Sequence, residues 1–379
     1  MDGRARTMLE QLLRDRRQTP EEFCEEAERY AANHVGVFPI TARHLQRLVA
    51  GQRGDGRPLG PVRPATRRLL EGMLGIPIER LLSPPKPATV VDVETTELRA
   101  RLAASRNIDE HSVGLFQQKL DLTRLMDRRL GAPTLLGELR NQIEYMEQAL
   151  HFTLGTRVHS SLAKVLVDAR TLAGWQSLDQ GRTIDAWTHY DNAKSAARDS
   201  GDMALLAYAT AAQSVVLLDI GETAQAVEIA DSARTIGRDS APSLLKAWLN
   251  ASYGEACAAD GRDVDSLLAF DEAARAMPSI LDPAETPYLV FGDVHLERWR
   301  GNALARLGAR GAIDTLSETL SKLEPSFTRA ETALRVDLVQ VLKAMNDRAE
   351  MAVHAERANM LALQIGSVRQ RNRLAWLTN

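Results

Sequence analysis

Apolar positions at a helical period begin almost at once. Met8, Leu9, Leu12 and Leu13 fall on one stripe of a 3.6-residue repeat and predict a short amphipathic helix. "TPEE" at Thr19–Glu22 then gives a start signal, with Thr19 as N-cap, Pro20 in the first turn and Glu22 completing a capping box. That second helix runs through Phe23, Ala27 and Tyr30. After a connection from about Ala32 to Ile40, holding Gly36 and Pro39, Thr41 can cap a third helix. Its Leu45 and Leu48 point inward before Gly51 stops it. Pro64 opens a fourth helix with Leu69, Leu70, Met73 and Leu74, and Pro77–Leu82 predicts a short fifth. The prolines at 84, 85 and 87 cannot continue a helix and mark a linker. The expected division is a five-helix domain over 1–82, a Pro-rich linker over 83–96, and a second helical body beyond.

From about Glu97 every segment reads as helix, with a clear stripe at Leu135, Leu139, Ile143, Met146 and Leu150. A repeat then emerges. Gly181, Gly221 and Gly261 are spaced by 40, as are Gly174, Ser214 and Gly254. Ala186, Ala226 and Ser266 keep the same register, as do Tyr190, Ala230 and Phe270, and Ala193, Ala233 and Ala273. Such recurrence predicts tandem helical hairpins: a small residue on the first helix admits close packing, a glycine makes the turn, and an Ala-rich second helix packs back. The phase continues through Gly301, a turn near Gly311 and the Ala-rich 351–358. Residues 97–160 are expected as hairpins or a cap, and 161–379 as repeats ending in a capping helix at Ser367–Leu377.

Composition supports an all-α fold. Hydrophobic residues make up 44%, charged residues 26% and aromatics only 5%, too few for an aromatic-rich β-sandwich or barrel. Cys24 and Cys257 stand far apart with no zinc spacing, so no metal and no cofactor is expected. No apolar run approaches the ~18 residues of a membrane span, and the first residues lack an apolar signal core. A cytoplasmic protein without membrane contact is the expectation.

Of 47 basic residues 40 are Arg, so arginine count alone carries little weight; distribution carries more. Residues 1–85 are net +3 and the remainder net −6, a basic module on an acidic body. No catalytic set is apparent: His111, His151, His159, His189, His295 and His354 are scattered without metal spacing or a nucleophile elbow. An enzyme is not expected.

Two resemblances follow from these patterns. The small-residue, glycine-turn, Ala-x-x-x-Tyr-x-x-Ala pattern resembles tetratricopeptide repeats, although its period of 40 exceeds their usual length of about 34. "TPEEF", Leu45 and Leu48 ahead of Gly51, and "RPATRRLLEGMLGIPIERLL" resemble the XRE-type (lambda-repressor-like) helix-turn-helix domain. Together they resemble actinobacterial helix-turn-helix regulators with a tetratricopeptide sensor domain, similar in architecture to peptide-pheromone-sensing regulators of Gram-positive bacteria. The implied fold is a five-helix helix-turn-helix domain followed by a tetratricopeptide-like superhelix. The implied function is transcriptional regulation by a homodimer that binds double-stranded DNA and senses a small ligand, expected to be a peptide.

Within the DNA module, residues 41–68 hold seven Arg and a single acid, Asp55. Leu45 and Leu48 turn Thr41, Arg43, His44 and Arg47 outward. Arg43 and Arg47 are the candidates for bidentate contact with guanine, while Thr41 and His44 are candidates for bases or phosphates. Arg53, Arg57, Arg63 and Arg67 are candidates for phosphates. Against this, the connection into the third helix is long for the motif, and Glu21, Glu22, Glu25, Glu26 and Glu28 would repel phosphates if they faced the duplex. The alternative is a repeat scaffold that binds another protein without DNA affinity. In the repeats, resemblance implies a ligand face along each first helix: Asp168, Trp175, Tyr208, Trp248, Glu255, His295, Arg298 and Asn302, continued by Gln340 and Lys343.

Overall fold

The capping box at the second helix forms as its residues dictate. Thr19 Oγ1 accepts from the Glu22 amide at 3.2 Å, and Glu22 Oε2 accepts from the Thr19 amide at 2.8 Å. The computed structural model describes residues 5–34, 37–52, 59–85, 93–105, 108–309 and 311–378. Among them the fold is all-α, with nineteen helices and no strand. The chain divides into two compact units, Met1–Arg99 and Ala100–Asn379. Residues 86–92 of the Pro-rich linker lie outside the described residues.

The first unit contains α1 (Met8–Asp15), α2 (Pro20–Ala32), α3 (Ala42–Ala50), α4 (Pro64–Leu74) and α5 (Ile78–Leu81). Leu9, Phe23, Ala27, Leu45, Leu69, Leu70 and Leu81 are fully buried in one core, joined by Leu13, Ile40, Leu48 and Ile78. α3 packs on α1 and α2, and Thr7 Oγ1 donates to the Val49 carbonyl at 2.8 Å, tying the start of α1 to the end of α3. Thr41 takes the N-cap position of α3 by its extended backbone, but its hydroxyl makes no cap hydrogen bond. Gly36 lies outside the described residues.

α6 (Val93–Ser105) spans the division. The second unit then runs α7 (Glu110–Leu130), α8 (Leu136–Phe152), α9 (Thr156–Asp179), α10 (Thr183–Ser200), α11 (Met203–Ile220) and α12 (Thr223–Gly237). It continues with α13 (Ser243–Ala259), α14 (Asp263–Ala276), α15 (Asp293–Arg306), α16 (Ala312–Lys322), α17 (Thr328–Ala344), α18 (Arg348–Gln364) and α19 (Val368–Thr378). From α9 to α18, odd and even helices pair successively. Each odd-numbered helix also touches the next odd one, and each even-numbered helix touches the odd one after it. α11 has the length and hydropathy of a membrane span, but most of it is buried within this array.

One turn recurs at the 40-residue spacing. Gly181, Gly221 and Gly261 have φ of 72°, 85° and 74°, the left-handed region where a side chain is strained. After each, an amide returns to a carbonyl five residues back: Arg182 to Ser177, Glu222 to Leu217, and Arg262 to Cys257, at 2.8–2.9 Å. This is the Schellman closure of a helix end. Close approach is the second device. A Cβ on Gly174 would lie 2.9 Å from the Tyr190 ring, and one on Gly254 would lie 2.9 Å from Phe270. Both rings are fully or nearly fully buried.

The far end returns to the near end. α17 packs on α7, and α19 packs on α9. Gln180 Nε2 donates to the Gly366 carbonyl at 2.9 Å, and Ser367 Oγ donates to Asp179 at 2.6 Å.

Candidate functional site

Because the second unit closes on itself, its odd-numbered helices surround a partly enclosed cavity of about 330 Å³. Helical spacing aims the lining: Asp168 and Trp175 on α9, Tyr208 on α11, Trp248 and Glu255 on α13, and His295, Arg298 and Asn302 on α15. Eight of the ten residues expected on a ligand face thus share one cavity. Gln340 and Lys343 do not reach it. They sit beyond Asp337, the last residue of α17 in the lining. Gln340 borders a shallow depression beside Trp376, and Lys343 donates from Nζ to the Leu377 carbonyl.

Several lining residues lie outside the expected set: Arg124 and Arg128 on α7, Tyr288 before α15, Phe327 and Arg329 at the start of α17, and Arg369 and Arg373 on α19. They arrive by ring closure, which nearest-neighbour periodicity does not encode. The signal available was polar residues at inward positions, such as Asp127 and Asp179, 4% and 1% exposed.

Most of the charge is paired. Arg124 binds both oxygens of Asp168 at 2.5 Å, and also Asp121 and the Pro287 carbonyl. Burial opposes charge on Arg124, but Asp168 outweighs it and holds the guanidinium above its ordinary pKa. Arg329 bridges Asp127 at 2.8 Å and Asp179. Burial nonetheless raises the Asp127 carboxyl, against the pull of Arg329. Arg369 grips Asp219 through two bonds of 2.5 and 2.6 Å. Asp337 accepts from Arg373 and Asn302, both at 2.8 Å, and Arg306 donates to Asn302.

Aromatic rings form the remaining wall. Tyr208 lies 4.7 Å from Tyr288 and 5.2 Å from Trp248, ring centre to ring centre, and Trp248 lies 6.1 Å from Trp299. Trp175 sits under the guanidinium groups of Arg329 and Arg369, at 5.8 and 5.5 Å. His295 packs edge-on against Phe327 at 5.1 Å. Burial, with Arg298 and Arg128 nearby, holds the His295 imidazole down to about 4, so it is neutral at pH 7. Such walls hold a small molecule by stacking and by a few placed polar groups. Among the described residues no cluster of His, Cys, Asp and Glu could hold a metal ion.

The first unit presents a different surface. On α3, Thr41, Arg43 and Arg47 are exposed and His44 is half-buried. Burial, together with Arg47 and Arg63, depresses the His44 pKa, which favours the neutral imidazole beside these two arginines. Arg63 is exposed; Arg67 is exposed but ion-paired with Glu79. Arg53, Arg57 and Asp55 lie outside the described residues. Glu21, Glu22, Glu25 and Glu28 on α2 are exposed, while Glu26 is half-buried against Gln18 at 2.6 Å.

Comparison with models of known protein families returns no match, and neither does comparison with the curated proteins.

Proposed function

We propose that the chain is a DNA-binding transcriptional regulator that responds to a small ligand held in the cavity of its second unit. The observation that carries this reading is the outward face of α3. Arg43 and Arg47 project from it, no acid interrupts the helix, and Arg63 stands beside it. An arginine on an exposed helix can reach guanine O6 and N7 in the major groove. In this reading the five helices of the first unit are a helix-turn-helix domain of XRE type. The paired helices of the second are a tetratricopeptide-like sensor, supported by the Schellman turn at a 40-residue spacing. A symmetric dimer would place two such helices in half-sites about 34 Å apart. A cavity near the lower end of small-molecule sites leaves room for a compact ligand or a peptide of only a few residues. The ligand must prefer one conformation to shift DNA affinity.

The test is selection of genomic DNA fragments by the purified protein, followed by binding across a salt series. Enrichment of one palindromic site is expected, with affinity falling steeply as salt rises and sequence preference lost in Arg43→Ala with Arg47→Ala. A second reading rests on the exposed glutamates of α2, which make that flank repel phosphate. It takes the chain as an adaptor that binds another protein. Absence of any enriched sequence sinks the regulator and leaves the adaptor.

A further inference from the structure

Seven arginines line the cavity. Five of them donate to carboxylates or to an amide oxygen of the protein. Arg298 and Arg128 do not; among the described residues neither has a hydrogen-bonded or ion-paired partner. Arg298 Nε is wholly buried with no acceptor. Asp337 and Glu255 act on Arg298 only at a distance, and burial pushes its pKa below the ordinary value. Arg128 lies over the Phe327 ring at 5.3 Å, its guanidinium without an acceptor. Both arginines lie near enough to His295 to lower its pKa, while Asp127 and Glu324 reach Arg128 only through space.

A guanidinium has five donors in a fixed fork and no acceptor. Leaving such donors unmet inside a protein is costly, and an oxyanion is the group that meets them in pairs. Glu255, the lining acid without a direct partner, already feels Arg298 and Arg369, so it is no vacancy for a cation. The adjoining wall is Trp248, Trp299 and Tyr288, a surface for a flat apolar body.

We propose that the cavity takes a small organic anion with a flat apolar body, its oxyanion held by Arg298 and Arg128 and its body against Trp248, Trp299 and Tyr288. The proposal rests on the reading of this cavity as the ligand site and narrows that ligand's chemical class.

Calorimetric titration of the full chain with three probes sharing one ring system tests it: β-naphthoate, β-naphthamide and β-naphthylmethylammonium. The carboxylate is expected to bind at least tenfold more tightly than the other two, the scale of one charge-assisted bond. Arg298→Gln and Arg128→Gln should each bring it down to the amide's affinity, and Arg298→Lys should restore part of the loss. Glu255→Gln should strengthen carboxylate binding, because it removes a like charge from the lining. Thermal unfolding of each variant separates a lost site from a lost fold, and Arg128→Gln, being half-exposed, gives the answer should Arg298→Gln not fold. Three results overturn the proposal: amide or ammonium binding as tightly as the carboxylate, carboxylate binding that survives the Arg128 change in full, or no carboxylate binding at millimolar concentration. No DNA enters this experiment, so its failure is distinct from failure of the regulator reading, which the fragment selection decides.

Discussion

Arg329 and Asp127 stand 202 residues apart in sequence and 2.8 Å apart in space. The same guanidinium also holds Asp179, and both carboxylates are buried. This one side chain therefore links α17 to α7 and α9. Among the described residues, Arg329→Ala leaves two buried acids with only Gln176 and Ser367 as side-chain donors. The expected loss is about 3–5 kcal/mol, because a buried charge stripped of its partner is far costlier than the pair was stabilising. Urea unfolding measures it. Adding Asp127→Asn and Asp179→Asn to Arg329→Met should recover most of the loss. A change below about 1 kcal/mol for Arg329→Ala would mean that this contact does not hold the closure.

Glycine substitutions should split by position. Gly254→Ala drives a methyl against Phe270 and the Ser266 carbonyl, both fixed in the core, and should destabilise by about 1–3 kcal/mol. Gly114→Ala, within α7 and with open space where a Cβ would go, should stabilise by about 0.5–1 kcal/mol. Thermal melts of the two variants give the signs directly. Equal signs would contradict the packing described here.

Stability should fall as pH drops below about 6.5. His189 and His295 are both held down to about 4, chiefly by burial. Arg170 donates to His189 Nδ1 at 2.9 Å, a bond that needs the neutral ring. A group whose folded pKa lies below its unfolded one takes up protons preferentially when unfolded. Its contribution is thus complete above the unfolded value and drains away as pH falls toward the folded one. Between pH 6.5 and 5 each histidine should cost up to about 2 kcal/mol. Denaturant midpoints across that interval, compared with His189→Gln plus His295→Gln, check the point. The double variant should show less than half the parent's slope.

If the first unit binds DNA, Arg63 and Arg67 should behave unequally. Among the described residues Arg63 forms no ion pair, whereas Arg67 is engaged by Glu79. Arg63→Ala should lower the salt dependence of DNA affinity by about one unit of slope, and Arg67→Ala by less. Glu79→Gln should release Arg67 and raise the slope by up to about one. Fluorescence anisotropy over a salt series reads all three. Equal slopes for the two arginine variants would refute the distinction.

Local rules made much of this legible. Thr19, Pro20 and Glu22 announce a helix start by hydrogen-bond chemistry confined to four residues, and that bond pair forms. Gly181, Gly221 and Gly261 announce turns because only glycine sits easily at their φ. Gly174 and Tyr190 announce a close approach because one lacks the atoms the other's ring displaces. Eight cavity residues follow from one helical face repeated along neighbouring helices. What stayed hidden depends on ring closure. Nothing within a few residues of Arg124 or Arg369 says that their partners are Asp168 and Asp219. Gln340 and Lys343 lie off this cavity for the same reason. A helical face extrapolated along α17 does not show where the cavity ends, and α19 meets it there.

α19 carries a consequence for synthesis. Arg369 and Arg373 belong to it, and both form wall of the cavity. A ribosome that has delivered everything through α18 has therefore made the whole array of paired helices but not a finished chamber. Asp219 and Asp337 wait for Arg369 and Arg373 until α19 emerges, and Asp179 for Ser367 just before it. Removing α19 would keep every pair from α9 to α18 yet take away one wall of the cavity. Completion of the cavity is thereby tied to translation running through α19.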